Sequence, residues 1–180
     1  MSGGLAVAFP GTGFTTKEVL FQQCISVYDK KGYQIIELDF SMIPFKTIET
    51  VDEAVEEANK QTVIQLENII FEEYEDVVFI SKSLGTVCAG WLEHQLNICP
   101  RQLYLTPIPE TFTYIDGNSK VIALVLGTID KLMSADRLTA FCIPNQIHYL
   151  IVKGVGHNLK DDDSKERTEL INKEISSLCK

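Results

Sequence analysis

No stretch of the 180-residue chain is apolar for long enough to span a bilayer, so a membrane-embedded role is not expected. The N-terminal Met1-Ser2-Gly3-Gly4 has no basic segment and no cleavage pattern, which argues against a secretory leader. Cysteine is present but never in a C-x-x-C pair. Cys24, Cys88, Cys99, Cys142 and Cys179 are odd in number and scattered. That spacing points to free thiols in a reducing cytoplasm rather than to a disulfide frame or a metal site. Positive charge is scarce: the formal net charge is −9. Such a balance repels polyanions and excludes nucleic acid and anionic membrane surfaces as main partners. Repeats, low-complexity tracts and linkers are also missing. What remains is a chain with 45% hydrophobic residues, long enough for one domain, 1–180, with a sizeable core.

Six apolar, β-branched runs recur along it: Leu5–Phe9, Tyr33–Phe40, Val77–Ser81, Gln102–Thr106, Val121–Leu126 and Ile147–Val152. They are nearly continuous rather than alternating, as expected of strands covered on both faces. Helical patterns separate most of them. Thr15-Thr16-Lys17-Glu18 reads as a capping box opening a helix to about Lys31, and Thr50-Val51-Asp52-Glu53 as a second. The second opens a long amphipathic helix whose apolar side carries Val51, Ala54, Val55, Ala58, Leu66, Ile69 and Ile70. Further helices are expected from Leu84 to about Asn97, over Ala135–Cys142, and from about Asp162 to Leu178 with Leu170, Ile171, Ile175 and Leu178 inward. Pro107–Ser119 reads as an irregular crossover. Strands alternating with helices predict an α/β fold: a doubly wound, mostly parallel sheet of about six strands with helices on both faces.

Three short segments stand where such strands end. Val77–Ile80 runs into Ser81-Lys82-Ser83-Leu84-Gly85 and then a helix. A serine on that sharp turn is lifted above the sheet edge, and the positions two before and two after must be small, as Ser81 and Gly85 are. The bland reading is a tight turn with an incidental serine. Lys82 is read as a solvated flank, because neighbours on a sharp turn point apart. Val121–Leu126 leads to Gly127-Thr128-Ile129-Asp130. Asp130 can either cap the turn that follows or accept a hydrogen bond from an imidazole, with Asp136 as the runner-up acid. Of three histidines, His94 falls in a helix and His148 in a strand, where it should pack. Only His157, after Gly154-Val155-Gly156, sits on a loop just past a strand, where catalytic groups concentrate.

Phe9-Pro10-Gly11-Thr12-Gly13-Phe14 follows the first strand. Its backbone can approach a substrate and supply an amide to a developing oxyanion, Thr12 first and Gly13 next, beside the Leu84 amide at the serine turn. The rival reading is a dinucleotide-binding loop with Asp39 on a ribose. That reading lacks the third glycine and puts Asp39 farther along than the roughly 20 residues required.

On Pro10-Gly11-Thr12-Gly13, Ser81-x-Ser83-x-Gly85, Gly127-x-x-Asp130 and Gly156-His157, in that order, the chain resembles the α/β-hydrolase superfamily in a small version without a cap domain. The resemblance covers nearly everything from Leu5 onward. It departs at Ser81, where a glycine is usual, and at Pro10, where many members have histidine. It implies Ser83 as nucleophile, His157 as base, Asp130 as orienting acid, and the Leu84 and Thr12 amides as oxyanion hole, with no metal or organic cofactor. The expected activity is hydrolysis of a small carboxylic ester, or else a thioester or amide. The partner would be a small-molecule acyl substrate, with short acyl chains cleaved fastest. Phe14, Leu132, Met133 and Ile108–Ile115, with Phe112 and Tyr114, are candidates to wall its pocket. The other readings are a non-catalytic binding module on the same fold, and a nucleotide-binding protein.

Overall fold

The computed structural model describes residues 2–180, the side chain of Ser2 excepted. Six parallel strands form one sheet: β1 (Ser2–Phe9), β2 (Gln34–Glu37), β3 (Tyr74–Lys82), β4 (Arg101–Leu105), β5 (Lys120–Gly127) and β6 (Tyr149–Val152), in the order β2-β1-β3-β4-β5-β6. Among the described residues four α-helices connect strands, α1 (Val19–Asp29), α2 (Val51–Leu66), α3 (Leu84–Leu96) and α4 (Ala135–Cys142), and a fifth, α5 (Lys165–Ser176), follows β6. The Pro107–Ser119 crossover contains a 3₁₀ segment, Pro109–Tyr114.

Strand periodicity sorts the core into two faces. Leu5, Val7, Phe9 and Phe79 point to the side covered by α2 and α3. Tyr104, Leu124 and Leu126 continue that side under α4. Ala6, Ala8, Val78, Ile80, Leu103 and Val125 point to the opposite side, against α1 and α5. Both faces are therefore apolar, which is why the strands read as unbroken hydrophobic runs. The chain winds outward from β1 to β2, then returns to β3 on the other flank of β1. The strand order reverses there, and open α/β sheets place their ligand crevices at that point, beyond the strand C-termini.

Local sequence decides the helix ends unevenly. The box at Thr50 and Glu53 forms both of its reciprocal hydrogen bonds and starts α2. The expected box at Thr15 does not form. Glu18 N–H closes a turn on Thr15 O, the Gln22 amide donates to Thr16 O, and the helix begins only at Val19. At the C-terminal end, the Asp161 carboxylate accepts from the Asp163 and Ser164 amides, and Ser164 caps α5, which starts three residues later than expected. Ile171 and Ile175 are buried as expected, whereas Leu170 is exposed. On α2, Ala54, Ala58 and Leu66 are buried, while Val51, and Ile70 beyond the helix end, remain exposed. His148 precedes β6 and is exposed, correcting its placement inside a packed strand. Among the described residues no helix is long and apolar enough to cross a membrane.

Candidate active site

At the end of β3 the Ser83 N–H bonds Leu105 O at 3.0 Å, and the backbone then turns sharply into α3. Ser83 holds φ 52° and ψ −121°, a conformation that L-residues rarely adopt and that costs about 1–3 kcal/mol. Surrounding packing imposes it. A Cβ on Gly85 would stand 2.4 Å from Pro10 O and 2.5 Å from Phe9 O, so strand β1 and helix α3 touch there through a residue that must be glycine. Ser81, two before, is fully buried, and its hydroxyl donates to Leu103 O at 3.3 Å. The hydroxymethyl group that departs from the usual glycine is thus housed by the neighbouring strand. Thr86 fixes the turn from the far side: its hydroxyl donates to Ser83 O at 2.6 Å and shares a 2.6 Å hydrogen bond with buried Thr111.

The other two strand ends deliver their residues to the same place. Ser83 Oγ and His157 Nε2 lie 2.8 Å apart, and His157 Nδ1 and Asp130 Oδ2 lie 2.7 Å apart. Asp130 makes both kinds of contact at once. Oδ1 accepts from the Leu132 and Met133 amides at 2.8 and 3.3 Å, while Oδ2 faces the imidazole, and the side chain has no exposed surface. Asp136 lies in the first turn of α4, exposed and away from this chain of contacts. The His157 loop is clamped to the end of β5. Ile129 N–H bonds Val155 O at 3.1 Å, Gly154 N–H bonds Thr128 Oγ1 at 2.8 Å, and a Cβ on Gly127 would lie 2.1 Å from Val155 O. Val155 and Leu159 anchor the loop in the core on either side of the histidine.

Burial, and then the charge of Lys82, lower the His157 pKa below its ordinary value; Asp130 opposes them. The imidazole therefore stays neutral, and able to accept a proton, into mildly acidic solution. Ser83 retains 8% of its surface. It opens on a groove of about 500 Å³ with Thr12 and Leu84 at its side and Phe45, Ile48, Val51, Ala54, Ile108 and Leu132 among its apolar walls. The Leu84 amide is the first of α3, where intrahelical acceptors are missing. The Thr12 loop is closed by a Gly11 N–H bond to Phe14 O at 3.0 Å, and a Cβ on Gly11 would meet the Ser83 Cβ at 3.1 Å. Gly13 is one residue farther out and exposed, and a Cβ there would meet open space. Of the expected pocket walls, only Leu132 and the Ile108–Glu110 part of the crossover reach the groove. Phe14 and Met133 are buried, Phe112 stacks on Phe141, and Tyr114 packs on Gly90 and His94. Phe45 and Ile48, which the sequence reading passed over, take their place.

Lys82 is not a solvated flank. It has no exposed surface, because β3 continues one residue past Ser81 and strand alternation turns Lys82 inward, on the side of Val78 and Ile80. Its period-2 spacing from Ile80 was the available signal. The nucleotide-binding alternative finds little support: α1 begins well after the glycine loop, so its first-turn amides do not follow directly from it, and the Asp39 carboxylate is engaged by Ser41 N–H and Oγ at 2.8 and 2.9 Å.

No family model and no curated protein matches the sequence. Solved structures do match the fold. A protein from Agrobacterium tumefaciens of unknown function, ascribed to the α/β hydrolases, superposes with a TM-score of 0.70 at 13% identity, over 98% of this chain and 84% of its own. One from Xanthomonas campestris pv. campestris ascribed to the same superfamily gives 0.63 at 14% identity, over 99% and 98%. A Pyrococcus furiosus esterase gives 0.59 at 16% identity, over 98% and 83%. The chain has the α/β-hydrolase fold.

Proposed function

We propose that the protein is a serine hydrolase acting on a small carboxylic ester, through an acyl-enzyme on Ser83. The observation that carries this reading is the run of two short contacts, Ser83 Oγ to His157 Nε2 and His157 Nδ1 to Asp130 Oδ2. A neutral imidazole so held takes the Ser83 proton as Oγ attacks the ester carbonyl carbon. Asp130 fixes the tautomer with Nδ1 protonated and stabilises the imidazolium. The tetrahedral oxyanion is held by the Leu84 and Thr12 amides. His157 then gives its proton to the departing alcohol, leaving Ser83 acylated. Water, deprotonated by the same imidazole, attacks the acyl carbon; the Oγ–acyl bond then breaks, the imidazolium returns its proton to Ser83 Oγ, and the acid is released. The sequence of steps calls for no metal or cofactor.

The groove's apolar walls suit an acyl group with apolar character; thioesters and amides share the chemistry of the ester proposed here. We read the chain as a cytoplasmic, single-domain enzyme without a cap, taking a small-molecule acyl substrate. Intact mass after incubation with a fluorophosphonate tests the assignment. A single adduct on the wild type, absent from Ser83→Ala, is expected. A well-folded wild type that takes no adduct sinks the reading and leaves a binding module on a hydrolase fold.

A further inference from the structure

A lysine with no exposed surface lies directly beneath the proposed triad. Lys82 Nζ donates to Thr106 Oγ1 at 2.6 Å and to the main-chain oxygen of His157 at 2.5 Å. The ring centroid of Phe14 lies 4.6 Å from it. A lysine ammonium has three donors and no acceptor, so two hydrogen bonds and an aromatic face come close to satisfying it.

We propose that Lys82 is a positioning residue for the general base: anchored by Thr106 and Phe14, it tethers the His157 loop through the His157 carbonyl oxygen and sets a positive charge beside the imidazole. The inference rests on the hydrolase reading above and assigns a task to a group that reading leaves idle.

Three observations favour this over a merely structural role. The tether ends on the residue that faces Ser83, not elsewhere on the loop. The charge is held where burial penalises it, and an apolar side chain of similar length would fill the same volume at lower cost. The charged groups around it are divided. Asp130 and Glu18 favour the ammonium, whereas burial and Lys160 oppose it, and Lys160 itself pairs with Glu18 at 2.7 Å and lies against the same Phe14 ring. The balance brings Lys82 down to about 7, burial being the main cause. Its charge is thus present in the acid range, where it counts against protonation of His157, and absent in the alkaline range.

The test is the pH dependence of fluorophosphonate labelling in wild type and Lys82→Met. Labelling requires neutral His157, so its rate rises with pH through the imidazole pKa. Loss of the Lys82 charge should move that acidic limb to higher pH by roughly half to one unit. Loss of the tether should lower the plateau by about tenfold or more, since small misplacements of a catalytic group are costly. A Lys82→Met plateau that falls while the limb stays in place overturns the proposal, as does an unchanged profile. Should Lys82→Met fail to fold, an NMR titration of His157 in the wild type decides. A midpoint below 6.5 with a second inflection near pH 7, shared with the Lys82 Nζ resonance, is expected; one inflection at or above 6.5 overturns the proposal. Wild type that takes no label at any pH fails the hydrolase reading instead, and the titration still reports on the Lys82–His157 coupling.

Discussion

At the scale of single residues, the molecule spends stability around Ser83. The serine sits at φ 52°, and the next side chain back in the chain is a buried amine. The second of these has a consequence for folding. Lys82 titrates near 7 in the folded protein, below the 10.5 of a free lysine. Between those values the unfolded chain binds the extra proton, so this residue makes the wild type gain stability as pH rises from about 7 to about 10.5, and its burden is fully felt below 7. Lys82→Met removes the burden. Its melting temperature should exceed that of the wild type at pH 6, by an amount reflecting a few kcal/mol at most, and the margin should shrink toward pH 10. Thermal melts at both pH values check this; a margin that does not narrow with pH would be inconsistent with a buried ammonium. Such a variant, steadier but less active, is the trade expected of a group kept for the site.

Elements meet where glycine allows it. The contact of β1 with α3 at Gly85, and of the β5 end with the His157 loop at Gly127, draw two strand-end loops within reach of Ser83. Gly85→Ala should therefore displace the Pro10–Phe14 loop by the better part of an ångström, cost at least about 1–3 kcal/mol, and cut labelling of Ser83 sharply. Urea melts and labelling rates measure both. Much of this layout was legible in the sequence. Buried parallel strands announce themselves as continuous apolar runs, and Ser83, Asp130 and His157 stand out because each follows such a run. Strand starts were not legible: β3 begins at Tyr74-Glu75-Asp76, where charge reaches solvent at the sheet's rim. The Thr15 pattern misled because a threonine followed three residues later by glutamate suits a turn as well as a helix start. Lys82 was missed because a lysine reads as exposed unless its strand is followed to the last residue. Phe45 and Ile48 reach the groove from a segment without period, which no pattern reveals.

On the scale of the whole molecule, the strand order reverses between β1 and β3, where the loop bearing Thr12 and the turn bearing Ser83 emerge side by side. The third participant arrives late and from the margin. His157 follows β6, a four-residue strand at the sheet's edge, paired on one side only through Leu124–Gly127. An edge strand with so few rungs is among the first parts of a domain to open. The contact of His157 with Ser83 therefore doubles as a built-in gauge of fraying at that margin. In rising urea, fluorophosphonate labelling should fade before far-UV circular dichroism changes, and amides of β6 should exchange with solvent faster than those of β1 and β3. The protein would fall silent while most of it is still folded.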